Sequence, residues 1–281
     1  MNADHEIVVV TGAAGRVGRA VVPLLRRERR VLRLLDIAVP DPRDRDHRDE
    51  WIEASITDRE ALASAFAGAT AVIHLGGHAA ERTWADILSV NIDGSQAVLD
   101  SARVAGVRRV LLASTYHVVG FETPDRLGAA GMIPPRPDTY YAVSKAAMEA
   151  LGSVFADRFG MTIVSARIGS FGRRPAGPRG LAQWCSPGDA ARLMEAVIAR
   201  EEPGHTIVWA VSDNSPGWFP LDAGRSIGFE PRDDAARELV AMHRAGRTVE
   251  IPERIDDLDL DSILGYGFVT PALPLGHPLL D

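Results

Sequence analysis

The chain has 281 residues, of which 46% are hydrophobic and 25% charged, so it can bury one large core. Its formal net charge of −7 disfavours nucleic acid and anionic membranes as partners. The single cysteine, Cys185, excludes an internal disulfide. The sequence shows no signal-peptide pattern and no apolar run of about 18 residues that could cross a membrane, so we expect a cytoplasmic protein.

The first predicted elements form a turn suited to a dinucleotide. The run Glu6-Ile-Val-Val-Val10 is apolar and β-branched after its first residue, and the segment Thr11-Gly-Ala-Ala-Gly-Arg-Val-Gly18 follows directly. This order predicts a buried strand, a glycine-rich turn and a helix. Gly12 permits the sharp turn, Gly15 lets the backbone approach a pyrophosphate, and Gly18 lets the helix pack on the strand. The helix N-terminus then faces the anion.

The next predicted feature is an acidic residue at the end of a second strand. The first helix is expected to run to about Arg30, with a kink at Pro23. The strand Val31-Leu-Arg-Leu-Leu35 then ends in Asp36, at about the spacing of 20 residues typical of dinucleotide-binding folds. Such a carboxylate binds the adenosine ribose and repels a 2′-phosphate, which favours NAD over NADP. The alternative is an aspartate that caps a turn or a helix.

The rest of the chain alternates apolar runs with helical patterns, which predicts an α/β fold with a Rossmann-type, doubly wound parallel sheet. We expect an NAD-binding domain over residues 1–180 and a small substrate lobe with a tail over residues 181–281, as one compact unit. The tail should be irregular from residue 251. In the lobe itself, Asp189 is the expected cap of a helix that starts at Pro187. Further strands are predicted at 51–56, 70–75, 110–113, 161–167 and 206–210, and helices at 58–67, 84–105, 139–159, 187–200, 222–228 and 233–247.

A tyrosine and a lysine four residues apart, in Tyr141-Ala-Val-Ser-Lys145, share one helical face. A neighbouring ammonium favours the phenolate, which brings the phenol closer to acid/base work at neutral pH. Alone, this spacing also fits an ordinary surface helix. The cofactor pattern upstream favours the catalytic interpretation.

Several motifs together resemble the short-chain dehydrogenase/reductase superfamily, in its extended or epimerase/dehydratase branch, over most of the chain. They are, in order, Thr11-Gly-x-x-Gly-x-x-Gly18, Asp36, His74-Leu-Gly-Gly77, Asn91-x-x-Gly94, Ala113-Ser-Thr-x-x-x-x-Gly120 and Tyr141-x-x-x-Lys145. The resemblance implies that Tyr141 is the catalytic acid/base, that Lys145 lowers its pKa and binds the nicotinamide ribose, and that Thr115 positions the substrate oxygen. Ser114 is the less favoured alternative for that last role, and the ring of Tyr140 should point elsewhere. The implied NAD contacts are Gly12, Ala14, Gly15, Arg16, Val17, Gly18, Asp36, Ser55, Ile56, Leu75, Gly76, Gly77, Asn91, Tyr141, Lys145 and Ile168.

Within this superfamily the chain resembles uronate dehydrogenases, which oxidise the anomeric carbon of a free hexuronic acid to a lactone with NAD. The similar segments are His74-Leu-Gly-Gly77, Ser114-Thr-Tyr-His117, Arg167-Ile-Gly-Ser170, Arg179 and residues 208–218. The implied substrate contacts are Ala79, Thr115, Tyr116, His117, Ser170 and Arg179.

Arg179 would bind the substrate carboxylate, with Arg173 and Arg174 of the same loop as alternatives. A packing histidine at 117, a turn serine at 170 and a surface arginine at 179 are the structural alternatives. Ala79 and Tyr116 replace a serine and an asparagine of that family. Ser55-Ile56 likewise replaces an acidic and apolar pair, so the exact substrate stays open.

The sequence therefore predicts NAD-dependent oxidation of a free sugar or sugar acid at the anomeric carbon. A sugar epimerase or dehydratase that retains NAD is the main alternative, and a non-catalytic NAD sensor is a third. A small sugar is the expected partner, without nucleic acid, membrane or metal. Assembly into a homo-oligomer, a dimer or larger, is common in the superfamily.

Overall fold

Seven parallel strands build one central sheet in a computed structural model that describes residues 6–127, 133–176, 179–215, 217–245, 264 and 275–276. The strands are β1 (Glu6–Thr11), β2 (Arg30–Asp36), β3 (Asp49–Glu53), β4 (Ala71–His74), β5 (Arg109–Thr115), β6 (Thr162–Ile168) and β9 (Gly204–Ala210). Their order is β3-β2-β1-β4-β5-β6-β9, so the direction of winding reverses between β1 and β4. A second, two-stranded sheet pairs β7 (Ser170–Phe171) with β8 (Trp184–Cys185). The predicted Rossmann-type fold is confirmed.

Helices cover both faces of the sheet, which is why its apolar strands are almost fully buried. The helices are α1 (Arg16–Leu25), α2 (Arg59–Phe66), α3 (Trp84–Asp86), α4 (Gly94–Val104), α5 (Pro124–Leu127), α6 (Tyr140–Phe159), α7 (Gly180–Gln183), α8 (Pro187–Ala199), α9 (Asp222–Ser226) and α10 (Ala235–Arg244). Helices α1 and α8 pack together on one core, and α2, α4 and α6 pack on the other. Among the described residues, no helix is long and apolar enough to cross a membrane.

Two local predictions about helix ends were wrong. Helix α1 ends at Leu25 rather than near Arg30, two residues after Pro23, and the chain then becomes extended. Helix α8 is capped by Ser186, whose hydroxyl accepts a hydrogen bond from the Asp189 N–H at 2.9 Å. The Asp189 carboxylate instead pairs with Arg192 at 2.6 Å and accepts two backbone N–H groups. The Asp189 carboxylate therefore binds the segment at Arg232 and Asp233 instead of capping the start of α8.

The helix predicted over residues 84–105 changes geometry along its length. A π-helical segment, Ile87–Asp93, joins α3 to α4. Such wider turns are rare and often occur at functional sites. This one contains Asn91, which belongs to the predicted cofactor set.

Residues after position 180 contribute to the central sheet as well as to the region beside it. Strand β9 pairs with β6 along its whole length, and α8 packs on α1. The division into two regions at residue 180 stays a prediction. The irregular tail expected from residue 251 lies outside the described residues, apart from Leu264 and the pair 275–276.

Candidate active site

A cavity of about 780 Å³ opens where β1, β4, β5 and β6 end, at the carboxyl edge of the sheet. The structure brings almost all the predicted site residues together around it. Those that line it are Gly12, Ala14, Gly15, Arg16, Val17, Gly18, Asp36, Ser55, Ile56, Leu75, Gly76, Gly77, Ala79, Thr115, Tyr116, His117, Tyr141, Lys145, Ile168 and Ser170. Asn91 and Arg179 are not among the lining residues, whereas Arg174 is.

One end of the cavity is formed by the turn between β1 and α1. Gly12 has a positive φ of 68°, and a Cβ there would lie 2.7 Å from the Gly76 backbone nitrogen. Gly15 is the N-cap of α1 and supplies no capping side chain, and the first helical turn contains no acid. The helix N-terminus therefore presents backbone N–H groups and a partial positive charge to the cavity. This arrangement suits a pyrophosphate.

Asp36 stands at the end of β2, next to that turn. Its carboxylate accepts hydrogen bonds from the Ala14 N–H at 2.9 Å and the Ala38 N–H at 3.2 Å. The acid is therefore held at a fixed place on the cavity wall, beyond the glycines. This is the position that a ribose-binding acid requires.

A buried hydrogen-bond chain supports the cavity floor. The Ser95 hydroxyl donates to the Asn91 carbonyl, so it accepts from His74 Nε2, 3.2 Å away. His74 Nδ1 is then the acceptor for the Thr11 hydroxyl at 2.8 Å, and that hydroxyl oxygen accepts the Gly76 N–H at 3.2 Å. Burial lowers the pKa of His74 to about 3, and the charge of Lys145 acts in the same direction. A neutral histidine with its proton on Nε2 satisfies every bond in the chain.

This burial predicts a loss of stability in acid. A histidine in the unfolded chain has a pKa near 6.5, so the unfolded state binds a proton below that pH. In the folded protein His74 stays neutral down to about pH 3. We expect His74 to reduce the free energy of unfolding by about 1.4 kcal/mol per pH unit below 6.5, or about 2 kcal/mol at pH 5. Urea unfolding of wild type and His74→Gln at pH 7 and pH 5 measures it. The variant should be less stable at pH 7 but lose less on acidification; equal losses would contradict the assignment.

Tyr141 and Lys145 lie one turn apart near the start of α6. Thr139 caps this helix by accepting the Ala142 N–H at 3.0 Å. The Lys145 Nζ is 5.8 Å from the centre of the Tyr141 ring, and both residues are buried. The Thr115 hydroxyl lies close enough to Tyr141 to affect its pKa, and both residues line the cavity. The three residues assigned to catalysis from the sequence therefore meet in the cavity.

Burial dominates the acid–base properties of this pair. It raises the pKa of Tyr141 to about 12, although the neighbouring Thr115 side chain acts in the opposite direction. Burial also lowers the pKa of Lys145 to about 8. The pKa of Tyr141 is thus above its ordinary value, because desolvation of the phenolate outweighs the effects of Thr115 and of the Arg16 charge. That Lys145 lowers this pKa during turnover stays a prediction.

The contacts separate Thr115 from its neighbour Ser114. The Ser114 hydroxyl donates to Glu149 Oε1 at 2.6 Å, and Glu149 forms a two-pronged pair with Arg167 at 2.9 and 2.8 Å. This hydroxyl is therefore committed to a buried ion pair, which favours Thr115 as the substrate contact. Tyr140 points away from the cavity, with its ring edge-on to Trp84 at 5.3 Å.

Three of the predicted substrate residues, Tyr116, His117 and Ser170, have protein partners of their own. His117 is buried and its Nδ1 lies 2.6 Å from Asp138 Oδ2. The ring of Tyr116 lies 4.2 Å from that of His117. The Ser170 hydroxyl donates to Gln183 at 3.2 Å. These contacts fix the orientation of side chains that also line the cavity.

Two arginines of the loop after β7 lie in different environments. Arg174 lines the cavity but is exposed. Arg179 is half-buried, with its guanidinium 5.8 Å from the centre of the Trp218 ring. It is also close to Tyr116: burial and Asp138 raise the pKa of Tyr116 to about 12, and the charge of Arg179 opposes them. Arg179 therefore lies near Tyr116, which lines the cavity.

Asn91 supports the cofactor end of the cavity from outside. Its side-chain oxygen accepts the His78 N–H at 2.8 Å, and its side-chain nitrogen donates to the His78 carbonyl at 3.1 Å and to Ser144 at 3.0 Å. It clamps the loop after Gly77 to α6. Its predicted contact with the cofactor stays untested.

Sequence reasoning missed several residues that hold the site together. Asp138, Glu149 and Glu81 are all buried acids with partners at catalytic or lining residues. Glu149 could have been found, because it follows Lys145 by four residues on the same helical face. Glu81 carries no such signal, since only the folded chain brings it to α6. Within the described part of the chain, no cluster of histidine, cysteine or acidic side chains could hold a metal ion.

Comparison with known proteins identifies the family. A sequence model of the NAD dependent epimerase/dehydratase family matches residues 8–209, from within β1 to within β9. The chain belongs to this family. The resemblance to the extended branch of the short-chain dehydrogenase/reductase superfamily is therefore confirmed.

Individual members of the NAD dependent epimerase/dehydratase family are similar over most of their length. Uronate dehydrogenase from Pseudomonas syringae pv. tomato is 36% identical over 81% of this chain and 82% of its own. NAD-dependent glucose-6-phosphate dehydrogenase from Haloferax volcanii is 35% identical over 82% and 94%. A mutant of uronate dehydrogenase from Agrobacterium tumefaciens, solved in complex with NAD, is 31% identical with a TM-score of 0.83, over 96% of this chain and 99% of that one.

The shape and the lining of the cavity fit NAD, the cofactor of this family. The close packing at Gly12 and the open N-terminus of α1 accommodate the pyrophosphate, and Asp36 stands where the adenosine ribose would lie. The buried pair Tyr141 and Lys145 is at the other end of the same cavity, where the nicotinamide would reach.

Asp36 should make NAD the strongly preferred cofactor. A 2′-phosphate would place negative charge against its carboxylate, and each factor of ten in preference corresponds to about 1.4 kcal/mol. We expect kcat/KM to be about a hundredfold or more higher with NAD than with NADP, and Asp36→Asn to narrow the gap by raising the NADP value. Asp41→Asn, an exposed acid outside the cavity, is the control. Equal kcat/KM values for the two cofactors would refute the role of Asp36.

Proposed function

We propose that this chain oxidises a free sugar acid of the hexuronate class at its anomeric carbon, giving a lactone and NADH. The meeting of Tyr141, Lys145 and Thr115 in the cavity that accommodates NAD carries this proposal. Similarity to uronate dehydrogenases over four-fifths of the chain supports the choice of substrate class.

The proposed reaction removes a hydride and a proton from the anomeric centre. NAD, when bound, accepts the hydride. Tyr141 takes the proton of the anomeric hydroxyl, and the Thr115 hydroxyl holds the same oxygen in place through a hydrogen bond. Lys145, buried one turn below Tyr141, favours the phenolate by its charge and anchors the nicotinamide ribose.

Further lining and nearby residues are proposed to contact the sugar. His117, held by Asp138, and Ser170, held by Gln183, present polar groups to the sugar hydroxyls. Arg179 is the proposed partner of the carboxylate, because a half-buried guanidinium forms a stronger ion pair than an exposed one. Ala79 and Tyr116 line the cavity as well, and the bulk of the tyrosine narrows the space available to the sugar.

A panel of free uronic acids and neutral aldoses, incubated with NAD and followed by NADH absorbance, tests the function. Net NADH formation that is fastest with a uronic acid is the expected result. Tightly held NAD with no net NADH would favour the epimerase or dehydratase alternative. Binding of NAD without conversion of any sugar would favour a sensor.

The setting in the cell is a further part of the proposal. We expect a cytoplasmic homo-oligomer, as is common in the superfamily. The size of the particle in solution, measured by light scattering, tests the assembly.

A further inference from the structure

Glu81 makes direct hydrogen bonds to the first turn of the helix that carries Tyr141. One carboxylate oxygen accepts the Tyr140 N–H at 3.1 Å, and the other accepts the Tyr141 N–H at 2.9 Å. The same side chain accepts the Gly276 N–H at 2.9 Å, and it is only 4% exposed. A buried acid is thus committed entirely to backbone groups around the proposed catalytic residue.

These bonds complete the helix start. The first N–H groups of any α-helix have no partner within the helix and must find acceptors elsewhere. Thr139 accepts one of them, from Ala142, and Glu81 accepts the two that precede it, from Tyr140 and Tyr141. The negative charge of Glu81 also interacts favourably with the partial positive charge of the helix N-terminus.

The peptide groups on both sides of the Tyr141 α-carbon are therefore held by side chains. Its N–H donates to Glu81, and its carbonyl accepts from the Ser144 hydroxyl at 2.6 Å. Ser144 is in turn bonded to Asn91, which clamps the loop after Gly77. Glu81 belongs to the continuation of that loop, so one loop links the cofactor end of the cavity to the catalytic helix.

Gly276 closes the same arrangement from the C-terminal part of the chain. Its φ is 79°, and a Cβ there would lie 3.1 Å from the Tyr140 ring. It packs directly on the turn that Glu81 holds. Together these contacts exclude water from the carboxylate, which strengthens its charge-assisted bonds.

We propose that Glu81 is a positioning residue for Tyr141: its carboxylate fixes the first turn of α6 so that the phenol meets the substrate oxygen beside Thr115. This inference rests on the proposed catalytic role of Tyr141. Small misplacements of a reacting group are costly in rate, by as much as about a hundredfold for 1 Å. Glu81→Gln keeps the shape but turns an acceptor into an N–H donor facing a backbone N–H. The turn must then shift.

The test compares steady-state kinetics with NAD affinity. We expect Glu81→Gln to lower kcat by about tenfold or more, while the Kd for NAD, measured by calorimetry, changes by less than about twofold. Asp234→Asn is the matched control, because Asp234 is a shielded acid that caps α10 through the Ala236 N–H at 2.8 Å, outside the cavity lining. It should leave kcat unchanged.

A double variant separates positioning from a general structural effect. If Glu81 acts through the phenol, then adding Glu81→Gln to Tyr141→Phe should slow the residual reaction no further. A further slowing by the full factor, a wild-type kcat in Glu81→Gln, or an equal loss of NAD affinity would each overturn the proposal. If Tyr141→Phe itself retains full activity, the proposed role of Tyr141 fails first and the positioning role with it. If only Glu81→Gln is silent, the proposed function stands and this inference fails alone.

Discussion

Tyr141→Phe should lower kcat by about 10²- to 10⁴-fold, the range typical of removing a general base. The substitution keeps the ring, its packing and the Lys145 contact but deletes the hydroxyl that is proposed to take the proton. Tyr141 is buried, so water has little access to the position of its hydroxyl group. Stopped-flow measurement of NADH formation gives the rate of the chemical step.

Lys145→Ala is the informative companion to this variant. Lys145 is proposed to serve both the phenol and the nicotinamide ribose, so its loss should reduce NAD affinity as well as kcat. Tyr141→Phe should reduce kcat alone. Wild-type turnover in the phenylalanine variant would show that another group takes the proton.

A uronic acid should be a far better substrate than the corresponding neutral aldose, and Arg179→Ala should remove most of that advantage. Truncating one partner of a buried charge pair costs roughly 2 to 5 kcal/mol. A loss of that size in kcat/KM for the uronate is therefore expected. Arg179→Lys should recover only part of it, because lysine cannot form two parallel hydrogen bonds with a carboxylate.

Arg174→Ala is the matched comparison. Arg174 lines the cavity but is exposed, and an exposed ion pair is worth only about 0 to 1 kcal/mol. A larger loss in Arg174→Ala than in Arg179→Ala would transfer the carboxylate to Arg174. Equal slowing of uronate and aldose by Arg179→Ala would remove the carboxylate contact from the proposal.

The sequence predicted those parts of the molecule that depend on local spacing. The turn after β1, Asp36 and the pair Tyr141 and Lys145 obey short-range patterns, and parallel strands necessarily bring their carboxyl ends to one edge. The choice between Ser114 and Thr115 depends instead on Glu149 and Arg167, which only the folded sheet brings beneath Ser114.

Tertiary contacts also decided the features that sequence reasoning missed or placed incorrectly. Aspartate is a residue type that commonly caps helices. The carboxylate of Asp189 instead binds Arg192 and the Asp233 N–H, and Ser186 caps the helix. A long-range partner thus outweighed the local preference of Asp189.

The π-helical segment Ile87–Asp93 makes chain length itself part of the site. A wider turn holds one more residue than the α-helix would, and each residue of an α-helix advances by about 100° around the axis. A one-residue deletion that restored regular geometry would rotate Asn91 by about that angle relative to α4, away from His78. The loop after Gly77 would then lose its clamp even though no side chain of the cavity had been substituted. Register in this helix is therefore as strictly required as the identity of the residues that it carries.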